Sequence, residues 1–555
     1  MKNFDSPLAA FLHWEKTIPN NVYLRQPLNR KHTEWTFKQA GDEIRRMASA
    51  LKAYGCEPGD KVALISKNCA HWMMSDLAIM MAGCVSVPIY PTVGPDTIKY
   101  IVEHSESKVL IVGKLDDWAG QKSGAPDGVQ MVSLGFFGGN EGDQWEDLMQ
   151  KHEPLAEVEP RGDDDLITII YTSGTTGLPK GVMHCWSAMN EISQTLLGVV
   201  KTPEHPRLFS YLPLSHVAER IGINFQGMYR GATVSFPETL DTFPDDLSAC
   251  QPHVFFAVPR VWAKFQEKIW VKMPEKKLNL FLKIPILKNI VKKKILTALG
   301  LSEVGFVVTG AAPISKEMLE WYEKLGVTIH NCYGMTEDGL MSHFNRPGAN
   351  RFGSVGKVLG KADAKLEKEN EGDEEGEILV KSPCLMKGYY KDEEKTKASF
   401  TEDGYLRTGD LGEYDKDGFL YIVGRAKDQF KTDKGKYIAP APIELKLSEN
   451  TAIEQLCLVG FGIPQPIALV TLSEEGKKLS KEALTRSLSA SINDLNPTLA
   501  PYEKIKKAVV LKEDWTVENE YLTPTMKLKR NVVEKKHIPN YKNWYDTTDE
   551  VVFTD

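Results

Sequence analysis

Residues 171–182 read Tyr-Thr-Ser-Gly-Thr-Thr-Gly-Leu-Pro-Lys-Gly-Val and directly follow the apolar run Leu166, Ile167, Thr168, Ile169, Ile170. A buried strand that delivers a hydroxyl-rich glycine loop suits a phosphate cradle. Gly174 and Gly177 let the backbone aim N–H groups at an anion, Ser173, Thr175 and Thr176 add hydroxyl donors, and Lys180 adds a mobile cation. A nucleoside triphosphate fits that set, so an ATP-using enzyme is the expectation. The spacing is not GxxxxGK[ST], because Pro179 stands where the second Gly belongs and disfavours a helical Leu178. A nucleotide fold other than the P-loop is therefore implied. A surface turn rich in small polar residues is the alternative.

The elements that must hold such a loop follow from the hydropathy pattern. Residues 37–54 predict a helix, 61–65 a strand, 69–83 a helix and 85–89 a strand, an alternation expected of a parallel sheet with crossover helices. It recurs as a helix over 311–325 and a short strand over 328–330. Residues 401–424, dense in Gly and Asp between short aromatic runs, read as hairpins at a domain edge, and 367–377 as a solvated acidic turn. The fold class expected is α/β: a large N-terminal domain with parallel-type sheets and a β subdomain over 1–424, a hinge at 425–428, and a small mobile α+β domain over 429–555.

Composition narrows the function. A chain of 555 residues exceeds one hydrophobic core, and 42% apolar with 26% charged residues is ordinary for a globular protein. A net charge of −7 argues against nucleic acid as a partner. Cysteines 56, 69, 84, 185, 250, 332, 384 and 457 form no CxxC pair, which suits reduced thiols and a cytoplasmic setting. No apolar signal core opens the chain, and no segment reaches about 18 uninterrupted apolar residues. Any membrane contact is therefore expected to be peripheral, on the inner face. The candidate is 264–294, with ten Lys and two Glu interleaved with Trp270, Leu280, Ile286 and Ile290; Pro274 and Pro285 forbid one continuous helix there. A solvated lysine-rich insertion is the other reading of that stretch.

The 171–182 stretch resembles the signature loop of the adenylate-forming superfamily, which comprises acyl-CoA synthetases, luciferases and peptide-synthetase adenylation domains. Further matches follow in that family's order: Leu212-Pro-Leu-Ser-His216, Thr309-Gly-Ala-Ala-Pro313, Tyr333-Gly-Met-Thr-Glu337, Thr408-Gly-Asp-Leu411, Gly424-Arg-Ala-Lys-Asp428 and Leu522-Thr-Pro-Thr-Met-Lys527. The resemblance implies ATP contacts from Thr172, Ser173, Gly174, Thr175, Thr176, Gly177 and Lys180. It implies an adenine site on the small-residue strand Gly310, Ala311, Ala312 with Tyr333 and Gly334, and a ribose site at Asp410 and Arg425. Catalytic roles fall to Lys527, Glu337, Thr336 and His216, with Glu337 meeting Mg²⁺ and Lys427 at the hinge. Lys529 neighbours Lys527, but the family's Gly-Lys-Ile-x-Arg pattern selects Lys527. Taken singly, Glu337 also reads as a helix N-terminal acid, Asp410 as a turn residue and Lys527 as surface decoration.

Three phrases, Leu212-Pro-Leu-Ser-His-Val-Ala-Glu-Arg220, Val258-Pro-Arg-Val-Trp262 and 431–440, resemble long-chain fatty acyl-CoA synthetases. The resemblance implies fatty acid, ATP and CoA as substrates, joined through an acyl-adenylate. A long chain is also reasonable energetically, since an apolar tunnel gains about 0.8 kcal/mol per buried methylene. Two alternatives stay open: an acyl-AMP ligase that loads a carrier protein, and a non-catalytic lipid-binding member. The oligomeric state, monomer or homodimer, is likewise open. Two departures stand out: Trp186 where the family commonly has His, and Lys434 where it often has Gly.

Overall fold

The computed structural model describes residues 3–158, 161–172, 178–340, 342–433, 435–523 and 526–554. Among the described residues an eight-stranded sheet runs in the order 388–389, 180–185, 166–172, 85–89, 61–65, 107–112, 130–133, 143–144. Strands Lys61–Ile65, Val85–Ile89 and Ser107–Val112 pair in parallel, as the alternating pattern predicts. Leu166–Thr172 adds parallel to Val85–Ile89 and then pairs antiparallel with Lys180–Cys185, so the glycine loop joins two strands of one hairpin. A nine-stranded sheet, parallel at its centre, carries 207–209, 254–256, 306–309 and 329–333.

Helix Ala70–Met81 is buried along its whole length and touches strands of both sheets. That explains why its sequence, His-Trp-Met-Met-Ser-Asp-Leu-Ala-Ile-Met-Met after Ala70, lacks a polar face: a helix apolar all round belongs in a core. Its neighbour Phe37–Ala53 is amphipathic and starts where a capping box forms. The Gln39 N–H donates to Thr36 Oγ1 at 3.2 Å, and the Thr36 N–H donates to Gln39 Oε1 at 2.9 Å.

Two expectations need correction. The helix expected from residue 311 spans Lys316–Lys324, because Pro313 interrupts the backbone ladder and the Ser315 hydroxyl caps the Met318 N–H at 3.3 Å. Gly310, Ala311 and Ala312 are not a strand. The strand ends at Thr309, and Ala311 takes a left-handed φ of 65° in an exposed bend. Gly310 is needed at the close approach of neighbouring strands, since a Cβ there would lie 2.6 Å from Cys332 Sγ.

A four-stranded antiparallel sheet, 363–367, 376–381, 406–414 and 420–425, holds the acidic turn and the expected hairpin. Beyond it a smaller C-terminal domain has its own four-stranded mixed sheet, 453–459, 467–472, 508–510 and 551–553, with cores separate from the rest. Ion pairs cross between the two parts: Lys446 to Glu317 at 2.7 Å, and Arg260 to Glu454.

Candidate active site

The hairpin around the glycine loop places Thr172 opposite Lys180, both at the loop's base. Ser173, Gly174, Thr175, Thr176 and Gly177 lie outside the described residues. Lys180 is half-buried, with its ammonium 5.1 Å from the Tyr389 ring centroid. Burial, followed by the charge of Lys395, holds its pKa below the ordinary lysine range.

Tyr389 brings a second candidate residue to that lysine. Strand Gly388–Tyr389 pairs antiparallel with Lys180–Cys185, and the Tyr389 hydroxyl donates to Glu337 Oε1 at 2.9 Å. Thr336 and Glu337 sit in the short 3₁₀ turn Thr336–Asp338. Buried Asp338 secures that turn by accepting the Met335 N–H at 2.9 Å and the Leu340 N–H at 3.0 Å. Burial pushes the Asp338 carboxyl up to about 7. The Thr336 carbonyl faces His184 Nε2 at 2.7 Å. Gly334 lies just before, after strand Ile329–Tyr333.

The Asp410 carboxylate is buried and held from two sides. Tyr333 donates its hydroxyl to Oδ2 at 2.7 Å, and Arg425 donates Nε to Oδ1 at 2.7 Å. Asp410 and Arg425 are register partners across the hairpin Leu406–Tyr414 and Leu420–Arg425, so local pairing sets that contact. Burial, then Asp410, drives the Tyr333 phenol well above its ordinary value, while Asp410 raises Arg425. With its hydroxyl engaged on Asp410, Tyr333 is anchored as a fixed aromatic wall. Ala311 and Ala312 are exposed in the bend that follows strand Phe306–Thr309, the neighbour of the strand carrying Tyr333.

Lys527 comes to the same place from the C-terminal domain. The Thr523 N–H donates to the Lys527 carbonyl at 2.8 Å, and Leu522 bridges Leu528 to close a tight turn. Arg530 anchors the turn's far side by donating Nη1 to the Leu458 carbonyl at 2.6 Å and pairing with Glu444. Lys527 remains solvent-exposed, yet it lies close enough to Arg425, Asp410, Glu337 and His216 for their charges to act on one another. Although part of the side chain reaches solvent, the protein atoms crowded round it and then the Arg425 charge lower its pKa, against the pull of the two carboxylates. His216 caps a short helix by accepting the Ala218 N–H on Nδ1 at 3.1 Å, and burial depresses its pKa to about 3, with Lys527 adding to the effect. His216 is therefore a neutral imidazole at physiological pH. Lys427 is exposed in the 3₁₀ turn Ala426–Asp428.

Among the described residues no group of three or more His, Cys, Asp or Glu side chains could hold a metal ion unaided. The arrangement still fits Mg²⁺, which usually takes one or two protein carboxylates and completes its shell with phosphate oxygens and water. Glu337 supplies such a carboxylate beside Lys180, whose pKa it influences.

Sequence reasoning missed Tyr389, Asp338 and His184. Tyr389 carried only a weak signal, an aromatic pair after Gly388. Of the two departures, Trp186 is buried in the main core at the start of helix Trp186–Val199, and Lys434 lies outside the described residues.

Residues 12–390 match the family model described as AMP-binding enzyme, and 427–549 the model described as AMP-binding enzyme C-terminal domain. The chain is 29% identical to the long-chain-fatty-acid-CoA ligase FadD15 of Mycobacterium bovis, over 98% of this chain and 97% of that protein. It is 30% identical to long-chain-fatty-acid-CoA ligase 5 of Rattus norvegicus, over 95% and 86%. Among solved structures, the A domain of a carboxylic acid reductase from Segniliparus rugosus, in complex with AMP and a co-purified carboxylic acid, superposes with a TM-score of 0.83. That match covers 97% of this chain and 94% of the other at 21% identity. ATP-bound MatB from Rhodopseudomonas palustris gives 0.77 at 23% identity, covering 97% and 100%.

Proposed function

The chain belongs to the AMP-binding enzyme family, and we propose that it activates long-chain fatty acids with ATP and transfers the acyl group to the thiol of CoA. Adenylate-forming acyl ligation is the common ground of the family and its curated relatives. The fatty acid and the acceptor are the proposed part. The observation that best supports the reading is the meeting of Lys180, Glu337, Asp410 and Arg425 with Lys527, which lies 102 residues beyond Arg425 in the chain. A pure lipid binder has no need of that charge constellation.

In the first half-reaction a carboxylate oxygen attacks the α-phosphorus, the bond to pyrophosphate breaks, and an acyl-adenylate forms. Two anions must meet, so the site has to screen like charges. Lys180 and the 173–177 loop would hold the departing pyrophosphate, and Thr336 the α-phosphate. Glu337, steadied by Tyr389, would hold Mg²⁺, which when bound neutralises phosphate charge. Asp410 would accept the ribose hydroxyls, with Tyr333 and Gly334 beside adenine. Ala311 and Ala312 would border the adenine from their exposed bend, which Gly310, packed close against Cys332, joins to the sheet. Lys527 would bridge α-phosphate and carboxylate as a mobile point charge. His216, neutral, would orient the substrate by hydrogen bonding rather than by charge. In the second half-reaction the CoA sulfur attacks the acyl carbon, AMP leaves, and the thiol proton passes to solvent. We assign the rotation between the two steps to residues 425–428 about Lys427, with 1–424 and 429–555 as the moving bodies.

The test is AMP formation from ATP with a panel of fatty acids from short to long, plus aryl acids, each with and without CoA. Sustained turnover with a long-chain acid, dependent on CoA, is expected. A single pyrophosphate burst that CoA cannot relieve would point to a carrier-protein thiol, and no burst with any acid would point to the non-catalytic reading.

Asp410→Asn should raise the KM for ATP by about 10- to 100-fold, because a charged hydrogen-bond acceptor is lost, while the KM for fatty acid stays nearly constant. Tyr333→Phe keeps the ring and should cost far less. Equal changes in both KM values for Asp410→Asn would remove Asp410 from the nucleotide site.

A further inference from the structure

Helices Pro259–Lys272, Glu275–Leu282 and Pro285–Ala298 carry two apolar faces where a surface element needs one. The inner face, Phe265, Ile269, Leu278, Val291 and Ile295, is buried against Trp321 and Tyr322. The outer face consists of Val271, Leu280, Ile284, Ile286 and Ile290, which are 81%, 57%, 42%, 76% and 58% exposed. Five of the twelve large hydrophobics exposed among the described residues thus fall between 271 and 290, a concentration that the rest of the described surface does not repeat. On Pro285–Ala298, Ile286 and Ile290 are one turn apart, and Lys293 and Lys294 continue the same stripe. Lys276 and Leu280 repeat the arrangement on Glu275–Leu282.

The stretch 264–294 carries a marked positive excess, ten Lys against two Glu. Nine of the ten lysines between 264 and 294 are exposed, and none forms an ion pair with a described residue. Exposed lysines elsewhere do pair, as Lys361 with Glu191 at 2.8 Å and Lys365 with Asp403 at 2.6 Å. Docking two copies face to face would set nine exposed lysines against nine more. No helix among the described residues is long and apolar enough to cross a bilayer.

We propose that these helices dock on the surface of an anionic lipid bilayer, with the five apolar side chains entering the interface and the lysines meeting lipid phosphates. The inference rests on the helices alone and is independent of the acyl-ligase reading, so failure of either leaves the other standing. The experiment floats the full chain with vesicles of phosphatidylcholine alone, or with roughly 30% phosphatidylglycerol added, at low salt and at about 0.5 M NaCl. Partition onto the anionic vesicles only, reversed by salt, is expected. The triple variant Lys276→Glu, Lys283→Glu, Lys293→Glu should weaken it by about 100-fold, at roughly five-fold per lysine. Ile286→Asp with Ile290→Asp should abolish it with an unchanged thermal melt, since both positions are exposed. Equal partition onto neutral and anionic vesicles, no partition at all, or flotation untouched by these substitutions would overturn the proposal. It would also be overturned if the isoleucine variant turned a dimer into a monomer without altering flotation, because the face would then be a contact between copies.

Discussion

Lys527→Ala is expected to slow acyl-adenylate formation by roughly 100- to 1,000-fold, the cost of removing one preorganised charge donor from a developing anionic centre. Thioester formation from supplied acyl-adenylate and CoA should stay within a few-fold of the parent. The asymmetry follows from the way Lys527 is held. Its turn, closed by Thr523 and Leu522 and anchored by Arg530 on Glu444 and Leu458, belongs wholly to the C-terminal domain. The charges it joins, Asp410, Glu337 and Arg425, lie on elements before or at the proposed pivot. The ammonium therefore reaches the site only while that domain sits as it does in this structure, where Lys446–Glu317 and Arg260–Glu454 span the two parts. Rotation about the proposed pivot would carry it away. Pyrophosphate release measures the first step, and thioester formation from presented acyl-adenylate measures the second. Lys529→Ala is the control and should change neither step appreciably, because its neighbourhood is set through its backbone N–H on the Tyr521 carbonyl. Equal losses in both steps for Lys527→Ala, or none in either, would refute the assignment.

The parts of the site legible in the sequence are those whose geometry is local. Thr172 and Lys180 meet because a hairpin brings the two ends of one loop together, and Asp410 meets Arg425, 15 residues further along the chain, across another hairpin. Strands 61–65 and 85–89 could be read to their boundaries because a short apolar run between turn residues has few other fates. The helix expected at 311 begins instead at Lys316: its apolar spacing is real, but Pro313 and the Ser315 cap outweigh periodicity at the boundary. The contacts that escaped are long-range. Tyr389 reaches Glu337 across 52 residues, and its role depends on strand Gly388–Tyr389 being the last added to the eight-stranded sheet. Asp338 looks like one more acid after Glu337 until burial shows that its carboxylate holds the turn. The arrival of Lys527 depends on the placement of a whole domain, which no local pattern encodes; resemblance to a family supplied it.

Arg220→Met is expected to destabilise the N-terminal domain by about 3–5 kcal/mol, the usual cost of leaving one member of a buried ion pair without its partner. Arg220 ends the Leu212–Arg220 phrase, which sequence reading links to substrate, yet its guanidinium is 1% exposed and points into the core. It donates Nη2 to Asp76 Oδ1 at 2.6 Å and Nε to Oδ2 at 3.2 Å, while Nη1 bonds the Thr168 hydroxyl. Asn224 adds a donor to Asp76 at 3.1 Å. Three elements are joined there: the buried helix Ala70–Met81, the strand Leu166–Thr172 that precedes the glycine loop, and the π-helical turn Arg220–Phe225. With methionine in place, Asp76 keeps only Asn224 and must either hold a buried charge or take up a proton. A loss of that size is a large fraction of a domain's net stability, about 5–15 kcal/mol, so the first thermal transition should fall clearly. Asp76→Leu combined with Arg220→Met should recover most of the loss, since packed apolar groups replace buried pairs with little penalty. Recovery should stop short of complete, because Asn224 and Thr168 each lose a partner. A single variant that melts like the parent, or a double variant no better than the single, would show that the pair is not what holds these three elements together.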